Sequence, residues 1–418
     1  MTEVEIVARV PVGGGHPVER LVCHPRLPLL AGLDSQRPAV HIWDCADGQL
    51  RELGTVGAES EVYGDAFGWE RFTRTPAVAW HPHQPLLVAA YEGKVVRWTP
   101  VGLTDLEGPP PTARYRDLAF SPSGRTLWAA PSSRDDDNAW ENSDVIDPAS
   151  GTVTTGPRWD TGVAEHPAGG LVTTLHSDQG ATLALFARVD HESEPAAMRV
   201  LRRALVLDVD GYETPVFSAD GRHLAIRGNA YGNTLEVFEF PSLHRVLATT
   251  LGEPSPGYPY PQEWLDEMRS WSRHNIAFGA RPGVLWVGTP TGTLVELDVA
   301  GQQAVEHDVL AGSPVTGLCA MPTGQLTLAS GDSELLLLSV GAARTAEGEP
   351  SPTTVAAFLS ATSEIPVDGG DLETHLVMTD GSRTWEPDDL ESVTTATSAD
   401  PTWLQLQAAI NNAREQGK

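Results

Sequence analysis

Three things are scarce in these 418 residues, and each scarcity removes a class of protein. Cysteine occurs three times, at Cys23, Cys45 and Cys319. An odd number without short spacings forms neither a disulfide framework nor a zinc knuckle, and it fits a reducing compartment. Lysine is almost missing: Lys94 and Lys418 are the only two, and arginine takes its place. With abundant Ala, Gly and Pro, that usage suggests the coding bias of a GC-rich bacterium. Basic residues number 28 against 56 acidic ones, a net charge of −28. Such a surplus repels phosphate backbones and anionic lipid, so neither nucleic acid nor a membrane is expected as a partner. Long apolar runs are absent too, none reaching the ~18 residues of a membrane span. The first ten residues, MTEVEIVARV, are acidic and alternating, unlike a signal or transit peptide. A cytoplasmic protein is predicted.

Motifs of enzyme chemistry are equally scarce. Gly13-Gly14-Gly15 precedes a strand pattern instead of opening a helix, so it lacks the geometry of a phosphate loop. No serine sits in a Gly-x-Ser-x-Gly setting. His81-Pro82-His83 puts two imidazoles on one side of a strand, as a metal pair would, but His-Pro recurs at His24 and His166 without a second histidine. A strand corner explains all three. Asp135-Asp136-Asp137-Asn138 carries oxygen ligands without the glycine and spacing of a calcium loop, and reads as solvated. No catalytic residue, cofactor or metal is expected.

What the chain does contain is a repeat. Ala77–Thr99, AVAWHPHQPLLVAAYEGKVVRWT, reads as three short strands divided by the His81-Pro82 corner and the Glu92-Gly93 turn. Six further segments can be laid over it. The corner recurs at His24-Pro25, Ser121-Pro122-Ser123-Gly124, His166-Pro167, Ser218-Ala219-Asp220-Gly221, Ala280 near Pro282-Gly283, and Met321-Pro322-Thr323-Gly324. Third strands end at Trp43-Asp44, Trp98-Thr99, Ile146-Asp147 and Leu297-Asp298. Pro82 to Pro122, Pro122 to Pro167 and Ala280 to Pro322 span 40, 45 and 42 residues, the period of a propeller blade. Longer intervals hold insertions.

From about Thr2 to Val340 these corners and strand ends resemble the WD40 family of β-propellers. The resemblance implies an all-β, seven-bladed WD40-like propeller, and the tail beyond it is expected to be a small C-terminal α/β appendage. The divisions expected are residues 1–340 for the propeller, 341–352 for a linker and 353–418 for the appendage. Only blade one pairs a Gly-His with a third strand ending in Trp-Asp, so the other blades are expected to rely on apolar packing. The family also implies that an N-terminal strand completes the last blade. Glu3–Val10, with Val4, Ile6, Ala8 and Val10 on one face, fits the fourth strand that blade seven lacks after Leu338.

Three insertions interrupt the repeat, at 57–75, 131–142 and 252–274, all of kinds that share one propeller face. They bring aromatic and arginine side chains: Tyr63, Phe67, Trp69, Phe72 and Arg74; Trp140; and Tyr258, Tyr260, Trp264, Trp271 and Arg273, with Arg116 adjacent. Exposed Trp, Tyr and Arg favour partner binding, though the same aromatics could cap the propeller. The predicted function is a non-enzymatic protein-binding scaffold, monomeric or weakly self-associating. The alternative is an enzyme or small-ligand sensor using the channel. Arg71, Arg74, Arg114, Arg116, Arg269 and Arg273 suggest a basic collar for a carboxylate-rich partner, unless each pairs with Glu61, Asp65, Glu70 or Glu267. Gln262–Ser272 reads as a helix behind Pro261. In the tail, Val355–Ser360 and His375–Thr379 read as strands. Asp400–Gln416 reads as a helix whose apolar stripe is Trp403, Leu404, Leu406, Ala409 and Ile410, docked through Trp403, Leu406 and Ile410 within the chain in preference to a partner or a second copy.

Overall fold

The computed structural model describes residues 3–66, 68–111, 114–132, 142–178, 181–190, 196–207, 213–228, 232–341, 349–366, 374–397 and 400–416, without the side chains of 69, 177, 178 and 181. Seven antiparallel sheets follow one another along the chain. Blade one is Val18–Cys23, Leu29–Asp34, Val40–Asp44 and Arg51–Val56. Blade two is Ala77–Trp80, Leu87–Tyr91, Lys94–Thr99 and Gly102–Asp105. Blade three runs from Asp117–Phe120 to Val153–Gly156, and blade four from Thr161–Glu165 to Ala197–Leu207. Blade five begins at Val216–Phe217, blade six at Ile276–Phe278 and blade seven at Val315–Ala320.

The ring closes as the sequence implies. Val4–Pro11 is the outer strand of blade seven, antiparallel to Glu334–Val340, with Val4 opposite Val340 and Val10 opposite Leu335. A bulge between Ile6 and Ala8 breaks the expected alternation. Val4, Ala8 and Val10 pack inward, whereas Ile6 is left 43% exposed.

Burial follows from the period-2 geometry of strands. The second strand of a blade is covered on both faces, so it is buried almost throughout instead of alternating. In blade one, Ala31 and Leu33 face blade two, while Leu30 faces blade seven. In the run Leu335–Leu338, Leu335 and Leu337 face blade one, and Leu336 and Leu338 face blade six. Among the described residues, each pair of neighbouring blades shares one apolar cluster, the seventh joining blade seven to blade one.

Corner histidines stitch neighbouring blades. His24 Nδ1 accepts from the backbone N–H groups of Arg26 and Leu27, and its Nε2 lies 2.9 Å from the Gln84 carbonyl in blade two. His166 repeats this: Nδ1 accepts from Ala168, and Nε2 lies 3.0 Å from the Gly221 carbonyl in blade five. With Nδ1 accepting, the proton sits on Nε2 and is donated across the blade boundary. His81 Nδ1 accepts from His83 and Gln84, so the His81-Pro82-His83 pair is spent on its corner.

The tail docks on the fourth and fifth blades. Val377–Thr379 adds in parallel to Ala197–Leu207, and Thr384–Trp385 pairs beyond it, making blade four six-stranded. The segment read as a strand at 355–360 is instead helix α3, Pro352–Ser360. Pro352 pre-sets its first turn, and Val355, Phe358 and Leu359 have helical spacing. Phe358 packs 5.0 Å from Phe240 and 5.2 Å from Phe186. Phe240 touches the corner residue His166, so α3 lies at the corner face, opposite the insertions. The short helix Pro387–Ser392, α4, precedes the last one, Thr402–Gln416, α5. α5 docks through Leu404 and Ala408 with Trp403 beside them, while Leu406 and Ile410 are 43% and 46% exposed. The buried stripe is thus rotated from the expected one. Asn411 explains the rotation, because its amide donates to the carbonyls of Leu390 and Val393 and needs the inner face.

Candidate functional site: the helix-flanked mouth of the channel

The insertion 57–75 forms helix α1, Gly68–Arg74, and the insertion 252–274 forms helix α2, Gln262–Ser270. Four blades apart in the chain, they meet over one end of the central channel. The mouth is a cavity of about 420 Å³ lined by α1, by 269–273 and by residues from all seven blades, including Arg20, Pro76, Arg116, Thr161, Glu213, His274 and Val315. Below it the channel widens to about 560 Å³ between the innermost strands. Arg20, Glu213, Arg273 and His274 line both spaces.

Helix α1 is held by its arginines. The Arg71 Nη2 lies 2.7 Å from both carboxylate oxygens of Glu19, and the guanidinium stacks 3.3 Å above the Tyr63 ring. Burial raises the Glu19 pKa, and Arg71 only partly offsets this. Arg74 donates to the carbonyls of Val62 and Tyr63, so it clamps its own loop. Arg116 lies 5.2 Å from the Phe72 ring, its pKa pushed down to about 10 by burial. Arg269 pairs with Asp266 at 3.2 Å on the exposed side of α2. Among the described residues, Arg71 pairs with Glu19 and Arg269 with Asp266, neither of them among the expected Glu61, Asp65, Glu70 and Glu267. Arg273 is exposed to the channel.

The aromatics divide into supports and surface. Tyr63 is buried under Arg71 and Arg74. Trp264 is buried, donates to the Glu253 carbonyl and stacks 5.0 Å from Tyr260. Trp271 is half-buried against blades five and six. Tyr258 is 89% exposed beside Tyr260. Phe67, Trp140, the Trp69 side chain and Asp135–Asn138 lie outside the described residues. The base of the insertion at 131–142 is described: Ser132 N–H donates to the Asn142 carbonyl, and Asp144 accepts from Ser132 and Tyr115.

Several channel groups escaped the sequence reading. Arg227, which follows the apolar Leu224, Ala225 and Ile226 at the end of the strand His223–Arg227, is buried and donates to Asn233, Asn275 and the carbonyls of Gly228 and Ser272. Burial pushes its pKa down to about 10. His274 Nδ1 lies 3.5 Å from Glu213 Oε2. Burial, with Arg20, Arg273 and Arg227 nearby, drives the His274 pKa well down, so the imidazole is neutral. Burial raises the Asp117 pKa as well, although the Gly162 N–H donates to its carboxylate. A lone Arg closing an apolar run was the one available signal, and it pointed to no partner.

The mouth thus carries five arginines and four carboxylates in a chain with twice as many acids as bases. Cationic groups outnumber carboxylates here, the reverse of the chain as a whole, which suits an anionic group arriving from outside. Among the described residues, no helix is long and apolar enough to cross a membrane. A scan with protein-family models gives no match to this sequence, and a search of curated proteins finds none significantly similar to it.

Proposed function

We propose that this chain is a non-enzymatic scaffold, a divergent WD40-type propeller of the bacterial cytoplasm, that binds an acidic segment of another protein over the α1–α2 mouth. The carrying observation is convergence: two inserted helices from distant points of the chain bring Arg71, Arg269 and Arg273 to one channel mouth. The rigid ring beneath holds these loop-borne groups in fixed positions. Tyr258 and Tyr260 on the approach to α2 add aromatic contact area. That reading rests partly on fold-level analogy. The test is affinity capture from the source cells, followed by calorimetry of the captured protein against wild type and an Arg269→Glu/Arg273→Glu variant. The double variant should weaken binding at least tenfold at low salt, and wild-type affinity should fall as salt rises. Undiminished binding by the double variant would refute this docking face.

The alternative is a small-ligand site deeper in the channel. Arg20, Arg273, Glu213 and His274 lining one chamber favour it. Turnover or saturable small-molecule binding without any captured protein would select that reading.

A further inference from the structure

The chain holds three cysteines, at positions 23, 45 and 319, and all three meet in one place. Cys23 ends the inner strand of blade one, Cys45 follows its third strand, and Cys319 lies on the inner strand of blade seven. All belong to the apolar cluster at the seam that closes the ring, together with Met321. Residues almost 300 positions apart converge there only because the last blade returns to the first.

Within that cluster the Cys23 sulfur lies beside that of Met321, and the Cys319 sulfur beside the Cys23 backbone. Cys23 Sγ lies 3.2 Å from Met321 Sδ, and the Cys23 backbone N–H donates to Cys319 Sγ at 3.2 Å. Cys23, Cys319 and Met321 all line the channel wall, which provides an entry path. Cys45 does not line it and is buried at 2% exposure.

We infer that Cys23, Cys319 and Met321 form a binding site for one soft monovalent metal ion, copper(I) in kind, bridging the first and last blades at the channel wall. Thiolate and thioether donors select copper(I) over harder divalent ions. With bonds of about 2.3 Å, the zinc–thiolate length, one ion spans the 3.2 Å between the Cys23 and Met321 sulfurs, with Cys319 Sγ against the Cys23 backbone N–H to complete the set. Zinc requires a fuller set. The described residues contain no group of three His, Cys, Asp or Glu able to hold a metal. His24, next in sequence, has both ring nitrogens engaged at its corner. On binding, the two thiols release their protons to solvent and three metal–sulfur bonds form, with no change of oxidation state. Binding should therefore strengthen as pH rises.

The test uses the full-length, reduced protein under anaerobic conditions, titrated with copper(I) as its acetonitrile complex and with silver(I) as a redox-inert probe. Native mass spectrometry should show one ion per chain, retained against a competing bicinchoninate chelator, with about two protons released per ion in weak buffer. Cys319→Ser should lose the ion, and Met321→Leu, which conserves volume, should weaken it about tenfold. Cys45→Ala should bind like wild type. The melting temperature should rise with copper(I) in wild type and by less in Met321→Leu. If Cys23→Ser or Cys319→Ser fails to fold, Met321→Leu and Cys45→Ala still decide. Absence of a retained ion, equal loss in Cys45→Ala, or displacement of copper(I) by equimolar zinc would each overturn the site.

Discussion

A corner histidine makes two demands on its surroundings, and both are readable as chemistry. Its Nδ1 must be free to accept from the turn, and its Nε2 must carry a proton to the next blade. Only the neutral ring does both, as at His24 and His166, and burial pushes the pKa of both down; it also lowers that of His81, whose Nδ1 accepts from its turn while His83 Nε2 reaches the Pro122 carbonyl of the next blade. A depressed folded-state value means that the unfolded chain binds more protons below the ordinary histidine pKa of about 6.5. Stability from these corners is therefore complete above that value and is lost as pH falls through it toward the folded value. His41, whose pKa is raised between Asp34 and Glu52, works in the opposite sense. Comparison with a His24→Asn/His81→Asn/His166→Asn variant isolates the corners: its melting temperature should be lower near pH 7.5 and fall less between about pH 7 and 5 than that of wild type. Parallel curves would disprove the assignment. Gly221 shows the same fit from the other side. It sits at φ +71°, and a Cβ there would lie 2.5 Å from the His166 ring. Gly221→Ala should cost about 2 kcal/mol or more, through strain at positive φ plus a clash at the blade boundary, as denaturant unfolding would measure. The corner was legible as a His-Pro recurrence, but its bonds to the next blade were not, because neighbouring corners lie tens of residues apart in sequence.

Among the elements, strands were easier to read than helices in this chain, for a physical reason. A blade strand covered on both faces writes itself as an apolar run, as LLLL at 335–338 does. The tail has no repeat to anchor it, and a short apolar segment such as Val355–Ser360 fits either periodicity until its partner is known. α2 was legible from Pro261 and the Trp264–Trp271 spacing; the rotation of α5 was not, because it is set by carbonyls that Asn411 finds in another segment. Two consequences can be measured. Removing residues 1–10 leaves Leu335–Leu338 without their outer cover and frees a strand edge, which should cost about 3 kcal/mol or more. An unchanged melting temperature for that truncation would contradict ring closure by Val4–Pro11. In the tail, Leu404→Ala should loosen α5 by about 2–4 kcal/mol and expose the C-terminal region to protease, whereas Leu406→Ala and Ile410→Ala should leave digestion unchanged.

The whole molecule is a closed ring carrying a charge of −28, and its size and charge pull in opposite directions. Seven apolar blade boundaries hold the ring, and they respond little to moderate sodium chloride. The carboxylates repel one another over its surface, and this repulsion weakens as the Debye length shrinks from about 30 Å at 0.01 M to about 8 Å at 0.15 M salt. Salt also screens attractive pairs, so the sign depends on which set is larger. The exposed Arg269–Asp266 and Arg51–Asp44 pairs are each worth under about 1 kcal/mol, and the half-buried Arg71–Glu19 pair is screened least. With acids outnumbering bases two to one, repulsion dominates. The melting temperature should therefore rise by several degrees between these two salt concentrations, in sodium chloride to avoid the surface exclusion produced by sulfate. The Arg269→Glu/Arg273→Glu variant, four charges more negative, should start lower at 0.01 M and gain more, converging on wild type at about 0.15 M. A melting temperature that falls with added salt would mean that the arginine pairs, and not the apolar boundaries, hold the ring shut.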